Sequence, residues 1–230
     1  MWKQLWHLIK QREDLLTEAY NDAADMLDRD RAMFAIVEAA LGEELSDERL
    51  AEIRRMDLEL NEQQQAVRRK VFEHLALAGG GDILGGLVLT SIVIDLERIG
   101  DYTKNIGEVV GLFPGRVDFG EDHALLDELR GLTLDLFDLA RRALVDQDEV
   151  AARRCMERFH ALSRLCDEKL AAILLSARSE TGVERADLAL ALLVRYIKRV
   201  GAHLKNIASA TVQPFPKIGY KLPDRRNANG

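Results

Sequence analysis

Glu97 and Asp101 lie four residues apart in a stretch that is otherwise strongly apolar. On a helix that spacing stacks the two carboxylates one turn apart, with β-carbons about 6 Å from each other. Such a pair repels itself unless a cation lies between the groups or each points into separate water. Carboxylate oxygens suit hard ions such as Mg²⁺, Mn²⁺ or iron better than thiolate-loving ones; the bland alternative is a solvated acidic stripe. Asn105 adds an amide oxygen one turn later. Gly100, between the two acids, costs a helix about 1 kcal/mol relative to Ala, which points to a close approach by another backbone. Asp57 and Asn61 repeat the one-turn spacing of oxygen donors further upstream. If the two helices pack antiparallel, four oxygen-bearing side chains converge. Glu97, Asp101, Asp57 and Asn61 are therefore the candidate metal ligands.

The acidic motif has a twin. Glu97-Arg98-Ile99-Gly100-Asp101 with Lys104-Asn105-Ile106 recurs as Lys198-Arg199-Val200-Gly201-Ala202 with Lys205-Asn206-Ile207, at one fixed offset of 101 residues. A repeat of that length implies a duplicated structural unit. Within the motif, the change that matters for ligands is the loss of both acids, to Lys198 and Ala202. A fixed ammonium at the place of the first glutamate supplies the positive charge that a bound ion would supply in the other half. Metal is thus expected in the first repeat only.

Other reactive side chains carry less. Glu157-Arg158-Phe159-His160 has the ExxH spacing of helical di-iron sites, but such sites need two copies and two further glutamates. A surface or half-buried histidine is the plainer reading, and His203 reads as a polar residue beside a vacated site. Trp2 and Trp6 could seat the first helix on a partner or membrane surface, or pack on the chain's own bundle. Cys155 and Cys166 lie about 16 Å apart along one helix, too far for a disulfide, and read as reduced thiols. The sequence offers no nucleophile–base pairing, phosphate-cradling glycine loop or zinc spacing. No catalytic residue is assigned.

The elements that must position these groups are helices. Pro114 is the only proline before residue 214, and Ala, Leu, Glu and Arg dominate, a balance that favours helix throughout. Apolar residues recur at three-and-four spacing from Leu5 to Leu41. Gly42 to Asp47 breaks that pattern, and Ser46 or Asp47 can cap a second helix that runs to about Leu77. Gly79-Gly80-Gly81 ends it, and Asp82 can cap a third that carries the acidic motif to about Leu112. Leu87 to Ile94 is β-branched enough to suggest a strand, but its continuation into Leu96, Ile99 and Ile106 keeps the helical period. Phe113-Pro114-Gly115-Arg116 reads as the linker. The order then repeats: a helix from Glu121 to Val145, a break at Asp146-Gln147-Asp148, a helix from Glu149 to Ala177, and a capping-box pattern at Thr181 to Glu184. A last helix carries the second motif to about Thr211. The expected fold is all-α, two tandem three-helix bundles over residues 1–112 and 121–211, followed by an extended or disordered tail over 212–230.

Charge bounds the partners. Residues 1–112 hold 13 basic and 22 acidic side chains, against 19 and 17 in the remainder. The acidic first half lacks the basic footprint that nucleic acid requires. The longest uncharged run, Ile83 to Ile94, is shorter than the roughly 20 residues that span a bilayer. The opening Met1 to His7 is followed by charge rather than by an apolar core, so no signal peptide is expected.

The string Asp95-Leu96-Glu97-Arg98-Ile99-Gly100-Asp101 with Asn105-Ile106 closely resembles the signature of PhoU proteins, cytoplasmic regulators of phosphate uptake. The resemblance covers Ala19 to Ala210, specifically at the first motif and loosely elsewhere. It implies two pseudo-symmetric three-helix bundles and multinuclear metal sites, each built from an acidic pair on the third helix of a repeat and a matching pair on the second. By position, Glu97 and Asp101 match the first pair, and Asp57 and Asn61 the second. The second repeat has Lys198, Ala202, Phe159 and Ser163 at the counterpart positions. Gly79 to Leu84 also departs from the Gln-Pro turn and following Arg usual in the family. The resemblance further implies a non-enzymatic adaptor between a membrane phosphate transporter and a sensor histidine kinase, and leaves a homodimer open. A regulator of another transporter, of sodium-phosphate or potassium type, and a carboxylate-bridged metal protein are the alternatives.

Overall fold

The structure is a computed structural model that describes residues 2–78, 82–113, 115, 117–176 and 184–220, with side chains from Leu15 onward. Among them are six long helices: α1 (Trp2–Ala40), α2 (Asp47–Ala78), α3 (Ile83–Gly111), α4 (His123–Val145), α5 (Glu149–Ser176) and α6 (Arg185–Ser209). Two single-turn 3₁₀ segments, Gly120–Asp122 and Phe215–Lys217, complete the set. No strand occurs among the described residues, and Leu87 to Ile94 is helical.

Each apolar stripe finds its partner within a three-helix bundle. In the first, Met26, Phe34 and Val37 of α1, Ile53, Leu60 and Val67 of α2, and Leu89, Leu96, Ile99 and Ile106 of α3 are buried together. Lys70 on α2 pairs with Glu18 and Asp22 on α1, and Arg29 on α1 with Glu59 on α2, a register that sets these helices antiparallel. α2 and α3 are antiparallel as well. Leu50, Ile53 and Leu60 lie against Gly111, Gly107 and Gly100 in that order. α4 to α6 repeat the arrangement around Leu136, Leu162, Leu193 and Leu204.

The bundles join along two helix pairs. α3 and α6 run antiparallel with Asp95 facing His203 and Tyr102 facing Tyr196. α1 and α4 meet through the rings of Phe34 and Phe137, 5.6 Å apart. Beside them Arg141 grips Asp28 with two hydrogen bonds of 2.7 and 3.1 Å. The connection after α3 is tied to the start of α6, where Arg185 donates to the Leu112 carbonyl and lies over the Phe113 ring.

Several local expectations need correction. Ser46 caps α2 through the backbone N–H of Arg49, but Asp82 makes no side-chain cap on α3 and its carboxylate meets His74 instead. Glu184 likewise makes no side-chain cap; Thr181, Gly182 and Val183 of that pattern, and Gly79 to Gly81, lie outside the described residues. The segment expected to be extended or disordered from residue 212 is packed as far as Tyr220. Gln213 is buried, the Gly219 N–H donates to Ser209 Oγ at 2.8 Å, and Lys205 donates to the Gly219 carbonyl. Gly219 has φ +83°, and a β-carbon there would lie 2.9 Å from the Asn206 amide oxygen, so any other residue would strain this turn. Residues 221–230, and the side chains of Trp2 and Trp6, lie outside the described residues. Cys155 and Cys166 are free and buried, and burial pushes both thiols up to about 12.

Candidate functional site

The antiparallel packing of α2 on α3 brings the two sequence pairs to one level of the first bundle. Glu97 and Asp101 are half-buried on α3, and Asp57 is buried on the facing turn of α2. Asn61 lies one turn on, but its amide donates back to the Asp57 carbonyl at 2.9 Å, which ties it to its own helix.

A fifth group arrives from α1. Asp30 is 0 % exposed, and neither carboxylate oxygen has a hydrogen-bond partner. Its pKa stands well above the usual carboxylate range, first because burial disfavours the charge, then because Glu97 and Asp57 add negative potential that Arg29 offsets only in part. Glu97 is raised in the same direction, by burial first and by Asp101 second. Sequence reading missed Asp30 although the signal was present. With Ala23, Met26, Leu27, Met33, Phe34 and Val37 it occupies the apolar stripe of α1, where an acid has no structural reason to be.

Gly100 explains how the acids come so close. A β-carbon there would lie 2.5 Å from Leu60 Cδ1 and 3.3 Å from Asp30 Oδ1. The close approach inferred from this glycine is therefore real, but it is made by side chains from α2 and α1, not by another backbone.

The cations in the cluster belong to the chain. Lys104 Nζ donates to Asp57 Oδ2 at 2.7 Å and to Asp101 Oδ1 at 3.1 Å, linking α3 to α2. Arg98 donates to the other oxygen of Asp101 at 2.9 Å and lies 3.4 Å from Glu97. Burial works against the charge on Lys104, but the bonds to Asp57 and Asp101 outweigh it and hold the ammonium's pKa above its ordinary value.

The oxygen-rich donor set has the chemistry of a hard-metal site, and the orphaned Asp30 has the unmet demand of one. The arrangement does not fit an ion, however. The place between Asp57 and Asp101 belongs to Lys104, and no group of three or more Asp, Glu, His or Cys side chains among the described residues is placed to hold a metal.

The second bundle shows what the same scaffold does without the acids. Lys198, at the place of Glu97, donates to both oxygens of Asp167 on α5 at 2.6 Å. Lys205, the counterpart of Lys104, has its ammonium 5.6 Å from the centre of the Phe159 ring. Phe159 thus lies beneath Lys205 as Asp57 lies beneath Lys104. Glu157 and His160 are exposed on α5. His203 is not an idle neighbour of a vacated site. It shares Asp95 Oδ1 with Asn206, at 2.6 and 2.9 Å, and stacks on Tyr102 across the joint between the bundles.

Comparison with known proteins follows the same division. The family model described as PhoU domain matches twice, over residues 23–110 and 126–211. Among solved structures, the phosphate transport system regulatory protein PhoU from Streptococcus pneumoniae is similar at 15% identity and a TM-score of 0.75, covering 92% of this chain and 100% of its own. PhoU from Pseudomonas aeruginosa is similar at 15% identity and a TM-score of 0.71, covering 90% and 96%. At that identity the structures establish a shared fold. No curated protein matches the chain.

Proposed function

The chain belongs to the PhoU family, and on that premise we propose that it regulates phosphate transport by contact with other proteins rather than by catalysis. The observation that carries this reading is the double family match, one to each bundle, in the tandem arrangement of solved PhoU proteins. None of the helices in the described residues is long and apolar enough to cross a membrane, so on this reading the translocating component is a partner. The fold offers surface for such a partner. Phe72 and Leu77 near the end of α2, and Ile83, Leu84 and Leu87 at the start of α3, are exposed around one hairpin. Apolar side chains grouped in this way mark interaction surfaces more often than scattered ones do. A membrane phosphate transporter is the partner this reading names first, and a sensor histidine kinase the second. The place of action is the cytoplasmic face of the membrane.

Deletion of the gene in its host tests the reading. With phosphate plentiful, phosphate-starvation genes measured by a transcriptional reporter should be switched on in the deletion strain and silent in the parent. An unchanged reporter together with altered potassium or sodium flux would assign the protein to another transporter.

A further inference from the structure

We infer that Lys104 is the resident cation of the acidic cluster in the first bundle, and that a hard divalent ion binds there only when the ammonium is removed. Carboxyl groups from three helices lie close enough to act on one another, Glu97 and Asp57 on Asp30, and Asp101 and Asp57 on Glu97. The Lys104 ammonium holds Asp57 and Asp101 at 2.7 and 3.1 Å. Magnesium needs its oxygens at about 2.0–2.1 Å, so an ion would have to draw both carboxylates inward through the position that Nζ now fills. The two positive charges would repel strongly at such a separation in a partly buried site. Asp30 supplies an independent sign that positive charge falls short on the α1 side of the cluster, where Arg29 alone offsets its acidic neighbours. It is fully buried, it has no hydrogen-bond partner, and it is aimed at Gly100 between the two acids of α3.

The second bundle supports the same logic from the opposite side. There the acids of α6 are gone, and the lysine corresponding to Lys104 has turned to an aromatic ring and a backbone carbonyl. A different lysine, Lys198, clamps α6 to α5 through Asp167. Each bundle therefore closes its second and third helices with an ammonium from the chain, and neither closure depends on an ion from solution. A hard cation such as Mn²⁺ has a place only in the first bundle, and only in competition with Lys104. The inference rests on the geometry of this cluster and is independent of which transporter the protein regulates.

Titration calorimetry with MnCl₂ on the purified full-length chain tests it. The wild type should show no binding at micromolar concentrations of ion. Lys104→Met should bind Mn²⁺ on the order of a hundredfold more tightly or better, because the fixed charge a few ångström away is gone. Lys104→Arg, which retains the charge, should behave as the wild type. Mn²⁺ should raise the melting temperature of Lys104→Met and leave that of the wild type unchanged. Adding Glu97→Gln and Asp101→Asn to Lys104→Met should abolish the gained binding. Should Lys104→Met not fold, Lys104→Gln keeps a polar side chain and serves in its place. Wild-type protein that binds Mn²⁺ as tightly as the methionine variant would overturn the inference. So would a folded Lys104→Met or Lys104→Gln protein that binds none.

Discussion

Substituting alanine for three helical glycines separates packing from helix propensity within one molecule. Gly201 sits in the second motif with both flanking layers closed. A β-carbon there would lie 2.4 Å from Leu162 Cδ2, 3.2 Å from Leu136 Cδ1 and 3.4 Å from Phe159 Cδ2. Leu162 and Leu136 are both 0 % exposed, so neither has free space to turn into. Overpacking of this kind costs about 1–3 kcal/mol, against a gain of about 1 kcal/mol when Ala replaces Gly in a helix. Gly201→Ala should therefore lose about 0–2 kcal/mol. Gly131 on α4 is exposed, and nothing lies within 4 Å of its would-be β-carbon, so Gly131→Ala should gain the propensity term undiminished. Gly100→Ala, with Leu60 Cδ1 at 2.5 Å, belongs with Gly201→Ala. For a chain of this size each kcal/mol moves the melting temperature by about 2–4 °C. The two classes should then differ by about 2–12 °C in scanning calorimetry at fixed protein concentration. A Gly201→Ala protein that melts at or above Gly131→Ala would refute the packing argument.

Asp30 gives the chain a pH dependence of defined sign. A carboxyl whose folded pKa lies above its unfolded value contributes stability that is complete below the unfolded pKa and is lost as pH rises through the folded one. Denaturation of the wild type and of Asp30→Asn across the acid-to-neutral range should therefore show the difference shifting toward the variant as pH rises; a constant difference, or one of opposite slope, would contradict the burial argument. Asp95→Ala should cost about 1.5–3 kcal/mol, the range for hydrogen bonds to a charged group, because it removes the acceptor shared by His203 and Asn206 between the bundles. A double-mutant cycle with His203→Ala should show coupling between the two positions, and additive losses would mean that the 2.6 Å contact contributes nothing.

The helices were legible because their signals are local. Apolar spacing, glycine breaks and the 101-residue repeat each sit within a short stretch of chain, and they place all six helices and both motifs. The acidic cluster was legible only in part. Glu97 and Asp101 announce themselves by spacing, and Asp57 follows once α2 and α3 are set antiparallel. Asp30 required noticing an acid inside an apolar stripe. The spacing of Lys104 from Asp101 shows only half of its role, since its other partner, Asp57, is 47 residues away and is reached only across the helix interface. The two bundles also hide their joint. Asp95 and His203 are 108 residues apart, and their contact is made only across the packing of α3 on α6. Asp82 illustrates the opposite error, a plausible local cap that yields to a tertiary contact with His74.

Regulation of phosphate transport by this chain is decided by uptake of labelled phosphate, in cells grown with ample phosphate and assayed as parent, deletion strain, and deletion strain complemented with this chain, with potassium and sodium uptake followed in parallel. Phosphate uptake should be raised in the deletion strain and returned to the parental rate by the complementing chain, with no change in the other two ions. Phosphate uptake that is equal in all three strains would contradict such regulation.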